Sequence, residues 1–204
     1  LTDTESRRIA VVASGARPQY LDGYGVAHPV EELMATITHK GKEIHSLGKL
    51  PAVGAKAPDF RLVKGDLSDV RLADFAGKVK ILNIVPSLDT SVCALSAKRF
   101  DAEVGKIEGA VLLNISADLP FAASRFCKAE GLVNIVTLSE MRDRAFGRDY
   151  GVEITDGLLA GLLSRAVVVV DRSDKVVYTE QVPEIGQEPD YSAALKAVKA
   201  ALAG

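Results

Sequence analysis

Val79-Lys80-Ile81-Leu82-Asn83-Ile84-Val85, followed at once by Pro86-Ser87-Leu88-Asp89-Thr90-Ser91-Val92-Cys93, is the stretch on which the fold turns. Residues 79–85 are apolar except for Lys80 and Asn83, and four of the seven are β-branched. That is the composition of a strand buried on both faces of a parallel sheet. Thr90 or Ser91 can then cap a helix over about 92–106, which leaves Cys93 in the first helical turn. There the free backbone N–H groups and the positive end of the helix dipole favour a thiolate over a thiol. A lone cysteine at such a junction is more often a small packing residue. The proline and threonine just ahead of it shift the reading to a redox-active thiol.

The second cysteine, Cys127, lies 34 positions further on, and there are no others. At 204 residues and 21.6 kDa the chain can bury a core without disulfide staples. A net charge of −2 and a pI near 6.0 give no electrostatic ground for nucleic acid or an anionic membrane as partner. No apolar stretch reaches the ~18 to 20 residues needed to cross a bilayer. Arg7-Arg8 followed by Ile9-Ala10-Val11-Val12-Ala13 imitates a secretory signal, but its five apolar residues fall short of the usual ~7 to 15. A cytoplasmic, reducing location is expected, where a disulfide is catalytic or sensory rather than structural.

Residues 1–33 carry scattered charge and no sustained period beyond 8–13. They read as an N-terminal extension, either non-native or flexible, with Met34 a candidate natural start. From residue 34 onward the punctuation is regular. Lys40-Gly41 reads as the turn of a hairpin over 34–45, and Lys64-Gly65-Asp66 as the turn of a second over 59–72. After the strand 79–85 and the helix bearing Cys93 come a strand over 110–116 and a helix opened by Asp118 and Pro120, which carries Cys127. A strand over 134–138, a helix from about 139 or 140 to 150, a hairpin of 166–170 with 175–181, and a helix over 190–203 complete the chain. This order gives an α/β fold with a central mixed sheet and helices on both faces.

Little other chemistry is visible. His28, His39 and His45 all precede the α/β body, and the cysteines have neither CxxC spacing nor a nearby histidine pair, so no metal site is expected. Neither a dinucleotide fingerprint nor a phosphate loop follows any strand, and no cofactor is expected.

Pro86-x3-Thr90-x2-Cys93 resembles the active-site signature of the peroxiredoxins. The stretch 83–93, the run 115–127 ending in Ser124-Arg125-Phe126-Cys127, and Ala129-Glu130-Gly131-Leu132 resemble its bacterial thiol peroxidase subfamily, the atypical two-cysteine kind. The resemblance runs from about residue 34 to the C-terminus. It implies a thioredoxin-like fold with an N-terminal β-hairpin over 34–204, with Cys93 as the peroxidatic thiol that attacks a hydroperoxide and becomes a sulfenic acid. It further implies that the Thr90 hydroxyl bonds thiolate and peroxide, that Pro86 shields the site from water, and that Arg142 stabilises the thiolate and polarises the O–O bond. Cys127 matches the resolving thiol that closes an intramolecular disulfide, thioredoxin is the implied reductant, and a homodimer is the implied assembly. Since a disulfide needs Cα atoms about 4.4 to 6.8 Å apart, two thiols on successive helices call for unwinding in each cycle. Two rival readings keep the same residues: a redox sensor or relay that reacts once, and a thioredoxin-like interaction domain with inert cysteines.

Overall fold

The computed structural model of the protein describes Gln19–Leu21, Ala27–Pro29 and residues 34–204. It divides into two compact units, Leu1–Met34 and Ala35–Gly204. In the first, β1 (Gln19–Leu21) pairs antiparallel with β2 (Ala27–Pro29), a short pairing that the aperiodic sequence did not announce. The expectation of a non-native or flexible extension otherwise falls outside the described residues, as does the signal-like run at 7–13.

The second unit opens with β3 (Ala35–His39) and β4 (Lys42–Ser46), antiparallel about Lys40-Gly41. Both turn residues have positive φ, 53° and 75°, as a two-residue hairpin turn matched to strand twist requires. The main sheet has seven strands in the order β11-β10-β7-β8-β9-β5-β6. The second predicted hairpin shrinks to β5 (Leu62–Val63) and β6 (Asp69–Val70) at one edge. At its centre β7 (Val79–Ile84), β8 (Ala110–Ser116) and β9 (Ile135–Ser139) run parallel, and every residue of β7 is buried. β10 (Ala166–Val170) lies antiparallel to β7, and β11 (Val176–Gln181) closes the other edge. The sheet is mixed, as the order of elements predicted.

Parallel strands need crossovers, and α1 (Ser91–Val104) and α2 (Pro120–Glu130) supply them. Along α1, Cys93, Ala97, Phe100 and Val104 form the buried stripe that a 3.6-residue period lays on one side. Phe100 and Val104 pack with Val79, Ile81, Leu112, Val167 and Val169, and with Ala194 and Val198 of α4 (Tyr191–Ala203). The alternate residues of the same strands, Leu82, Ile84, Leu113, Ile115 and Val168, face a second cluster with Phe60, Leu62, Phe146 and Tyr150. Both faces are thus covered, as expected.

Two helix starts differ from the sequence reading. The helix expected from residue 139 or 140 is only α3 (Ala145–Asp149). Residues 140–144 instead form a turn in which Asp143 N–H donates to Glu140 O and the buried Glu140 carboxylate accepts from Gly147 N–H at 3.2 Å. Asp118 does not cap α2, whose N-cap is Leu119. Its carboxylate is taken by Ser87 Oγ at 2.7 Å, Leu88 N–H at 2.7 Å and Ser116 Oγ at 2.9 Å, which pins the loop ahead of α1.

Candidate active site

The site is assembled where β7 ends and α1 begins. Val85 N–H still donates to Ile115 O at 3.0 Å, and the buried Pro86 then turns the chain away from the sheet. Thr90 is the N-cap of α1, with extended backbone (φ −123°, ψ 149°), and Ala94 N–H donates to its carbonyl at 2.9 Å. Its exposed side chain caps no helical N–H. The hydroxyl donates to Ser87 O at 3.2 Å, so Asp118, Ser87 and Thr90 form one chain of bonds that shapes the loop. Cys93 occupies the third helical position, fully buried and unpaired, with Ser96 Oγ donating to its carbonyl at 3.0 Å.

Arg165 reaches this thiol from the residue just before β10. Its Nη2 lies 3.4 Å from Cys93 Sγ, its Nε donates to Ile185 O at 2.9 Å, and Nη1 is buried without a partner. The side chain is 2% exposed, and no carboxylate of the described residues pairs with it. A buried guanidinium needs compensation for lost hydration. The side-chain heteroatom that its Nη2 meets is Cys93 Sγ.

Cys127 is the eighth residue of α2, half-buried and free. Burial, helped by the Asp101 carboxylate and opposed by a hydrogen bond to Thr137, holds its thiol above the ordinary cysteine value. In this conformation Cys127 is kept as a protonated, weakly nucleophilic thiol. The α1 and α2 helices meet through Ala97, Ala123 and Phe126, with Leu88 beside them, and Lys98 pairs with Glu130 across them.

Comparison with known proteins gives the family of the chain. The Redoxin family model matches residues 52–195. A thiol peroxidase of Leptospira interrogans is 54% identical over 171 residues, covering 83% of this chain and all of that protein. One from Mycobacterium bovis is 53% identical over 167 residues, covering 82% of this chain and again the whole relative. The chain belongs to the Redoxin family. Among solved structures, a peroxiredoxin-like protein from Aquifex aeolicus superposes with a TM-score of 0.78 at 37% identity, over 83% of this chain and 99% of that one. Within the Redoxin family the chain falls in the thiol peroxidase group, and thiol-dependent reduction of hydroperoxides is the activity that membership carries.

For a Redoxin of this kind the sequence named one arginine and the structure brings another. Arg142 is not drawn to Cys93. Its Nη1 is paired with Asp69 and its Nη2 donates to Leu67 O at 3.0 Å, so the guanidinium fastens the turn after β9 to the β5–β6 edge. Pro86, Thr90 and Cys93 all lie at the β7–α1 junction, and Arg165, which sequence reasoning did not name, reaches the Cys93 sulfur. A signal was present: Arg165 directly precedes Ala166-Val167-Val168-Val169-Val170, the most apolar strand in the chain. An arginine set directly against so apolar a strand is a candidate for burial, and burial of arginine calls for a partner.

Proposed function

We propose that this chain is a two-cysteine peroxidase in which Cys93 is the attacking thiolate and Arg165 its charge partner. The observation that carries the reading is the buried Arg165 guanidinium 3.4 Å from Cys93 Sγ, with no carboxylate of the described residues to neutralise it. The thiolate sulfur displaces the terminal peroxide oxygen. The S–O bond forms as the O–O bond breaks, and the leaving oxygen takes a proton to become water or an alcohol. Sulfur is oxidised to sulfenic acid and the peroxide is reduced. Charge building on the leaving oxygen needs a fixed cationic donor, and the unpartnered Nη1 of Arg165 is one in a water-poor site. Thr90, tied to Ser87, presents its hydroxyl at the same helix end, and Pro86 keeps water from the sulfur.

Cys127 then attacks the sulfenic sulfur, expelling water and closing a Cys93–Cys127 disulfide. Because β7 and β8 run parallel, the helices that follow them, packed against each other, both begin at the C-terminal end of these strands. Cys93 is the third residue of its helix and Cys127 the eighth. A five-residue offset is roughly 7 Å along the axes, in addition to the ~8 to 10 Å between packed helices. That exceeds disulfide reach, so one or both helix ends unwind in the cycle. Thioredoxin is the dithiol that restores the thiols, the assembly is a homodimer, and the compartment is a reducing cytoplasm.

Peroxide consumption coupled to thioredoxin, thioredoxin reductase and NADPH tests this. Cys93→Ser should abolish turnover, and Cys127→Ser should react once and then fail to recycle. Unchanged consumption in Cys93→Ser would rule the proposal out, and a parent protein that reacts only once would mark it as a sensor. Sedimentation at micromolar concentration checks the dimer.

A further inference from the structure

Residues 182–187 form a strap between the β3–β4 hairpin and Arg165. On the hairpin side, Thr38 N–H donates to Pro183 O at 2.7 Å and Ile185 N–H donates to Thr38 O at 2.9 Å. On the other side, Val182 N–H donates to Arg165 O at 2.9 Å, and Ile185 O accepts from Arg165 Nε at 2.9 Å. Ile185 therefore faces two ways. Its side chain is buried with Ile37, Ile44 and Ile154 in the hairpin's own core, while its carbonyl holds the guanidinium.

Glu184 is the clamp beside it. One carboxylate oxygen accepts from Thr38 Oγ1 at 2.8 Å and Gly41 N–H at 3.1 Å. The other accepts from Lys40 N–H at 3.1 Å and Gly186 N–H at 3.0 Å. Four donors converge on one side chain, and two of them are the amides of the positive-φ hairpin turn. These bonds, that of Gly186 foremost, bring the Glu184 carboxyl down to about 2, so it stays ionised at any working pH.

We propose that Glu184 is a positioning residue for the peroxidase reaction: by clamping the hairpin turn to the strap it fixes the Ile185 carbonyl, and through it the orientation of Arg165 toward Cys93. The proposal rests on the roles given above to Cys93 and Arg165. Its physical basis is that the guanidinium plane has few anchors. Nε is held by Ile185 O, Nη2 touches the thiol, and Nη1 has no partner. If the carbonyl drifts, the plane turns with it. A misplacement of about 1 Å in a reacting group costs on the order of 10²-fold in rate.

The test compares two reactions of Cys93 in the full chain, oxidation by hydrogen peroxide and alkylation by iodoacetamide, followed by quenched-flow mass spectrometry. Alkylation needs an accessible thiolate, whereas peroxide cleavage also needs the oriented guanidinium. Glu184→Ala should lower the peroxide-to-iodoacetamide rate ratio about tenfold, a partial form of that loss. The gentler Thr38→Val, which removes one donor and keeps the strand, should lower it severalfold and decides the matter if Glu184→Ala does not fold. In an Arg165→Met background neither change should lower the ratio further. An unchanged ratio in the folded variants, or the same drop without Arg165, would overturn the proposal. A parent protein with no Cys93-dependent peroxide reaction would overturn the functional reading first, and this inference with it.

Discussion

Arg165 carries a charge into a place that water does not reach, and its closest heteroatoms are a thiol sulfur and a peptide carbonyl. Arg142 carries the same charge at the surface, where Asp69 answers it. These placements predict opposite outcomes for the same substitution. Arg165→Met should slow the reaction of Cys93 with hydrogen peroxide by about 10²-fold or more, the scale of losing a fixed donor to developing charge. Arg142→Met should leave it within about threefold of the parent, since an exposed ion pair contributes little. Single-turnover rates for the two variants separate the assignments. A second buried cation, Lys80, donates to Asp171 O at 2.9 Å and to Asp174 at 2.5 Å. Asp174→Ala would leave that ammonium buried and uncompensated. It should cost about 3 kcal/mol in urea unfolding, and Lys80→Met, which removes the charge itself, should cost less.

The turn between β9 and α3 holds a carboxylic acid out of water. Burial raises the Glu140 carboxyl to about 7, with Glu153 adding to the shift and the Gly147 amide, Arg144 and Arg148 opposing it. An acid whose folded value is raised binds more protons when folded. Its contribution to stability is therefore greatest below the unfolded value and is lost as pH climbs from about 4.5 to about 7. Other carboxylates act in the opposite sense: Glu184 and Asp156, both lowered by hydrogen bonds, lose their contribution as pH falls through their folded values. The comparison that isolates Glu140 is parent against Glu140→Gln. The variant should gain on the parent between pH 5 and 8, seen as a rising difference in urea midpoint. The same turn shows why the predicted helix over 139–150 shortened. Its residues suit a helix locally, but residues 140–144 are occupied in a side-chain-stabilised turn that carries Arg142 to Asp69.

At the level of the molecule, catalysis and recycling ask for different conformations. In the proposed mechanism, peroxide attack needs α1 wound against the sheet so that Cys93 meets Arg165. Disulfide closure needs helix ends that leave their packing. Amide hydrogen exchange should therefore be faster in the oxidised than in the reduced protein over about 90–97, 123–131, or both, with β7, β8 and β10 unchanged. Identical exchange in the two forms would exclude unwinding. Cys127→Ser, which cannot close the disulfide, should accumulate the sulfinic acid at Cys93 under repeated peroxide, read as a mass gain of about 32 Da over the thiol.

The sequence alone determined most of the elements and marked Cys93 as the candidate nucleophile. Alternation, apolar runs, the capped helix start and the Pro86-x3-Thr90-x2-Cys93 spacing are local signals, written by backbone hydrogen bonding and by which face of each element is buried. They gave the mixed sheet, the helix that carries Cys93 in its first turn and the hairpin turn at Lys40-Gly41. Periodicity records that a side chain is buried but not which other buried group it will meet. Arg165 lies 72 residues from Cys93 and Glu184 about 145 from the hairpin it clamps. Such pairs exist only after the strands have been ordered into a sheet, and that ordering, set by packing across both faces, chose Arg165 over Arg142 as the partner of the thiol.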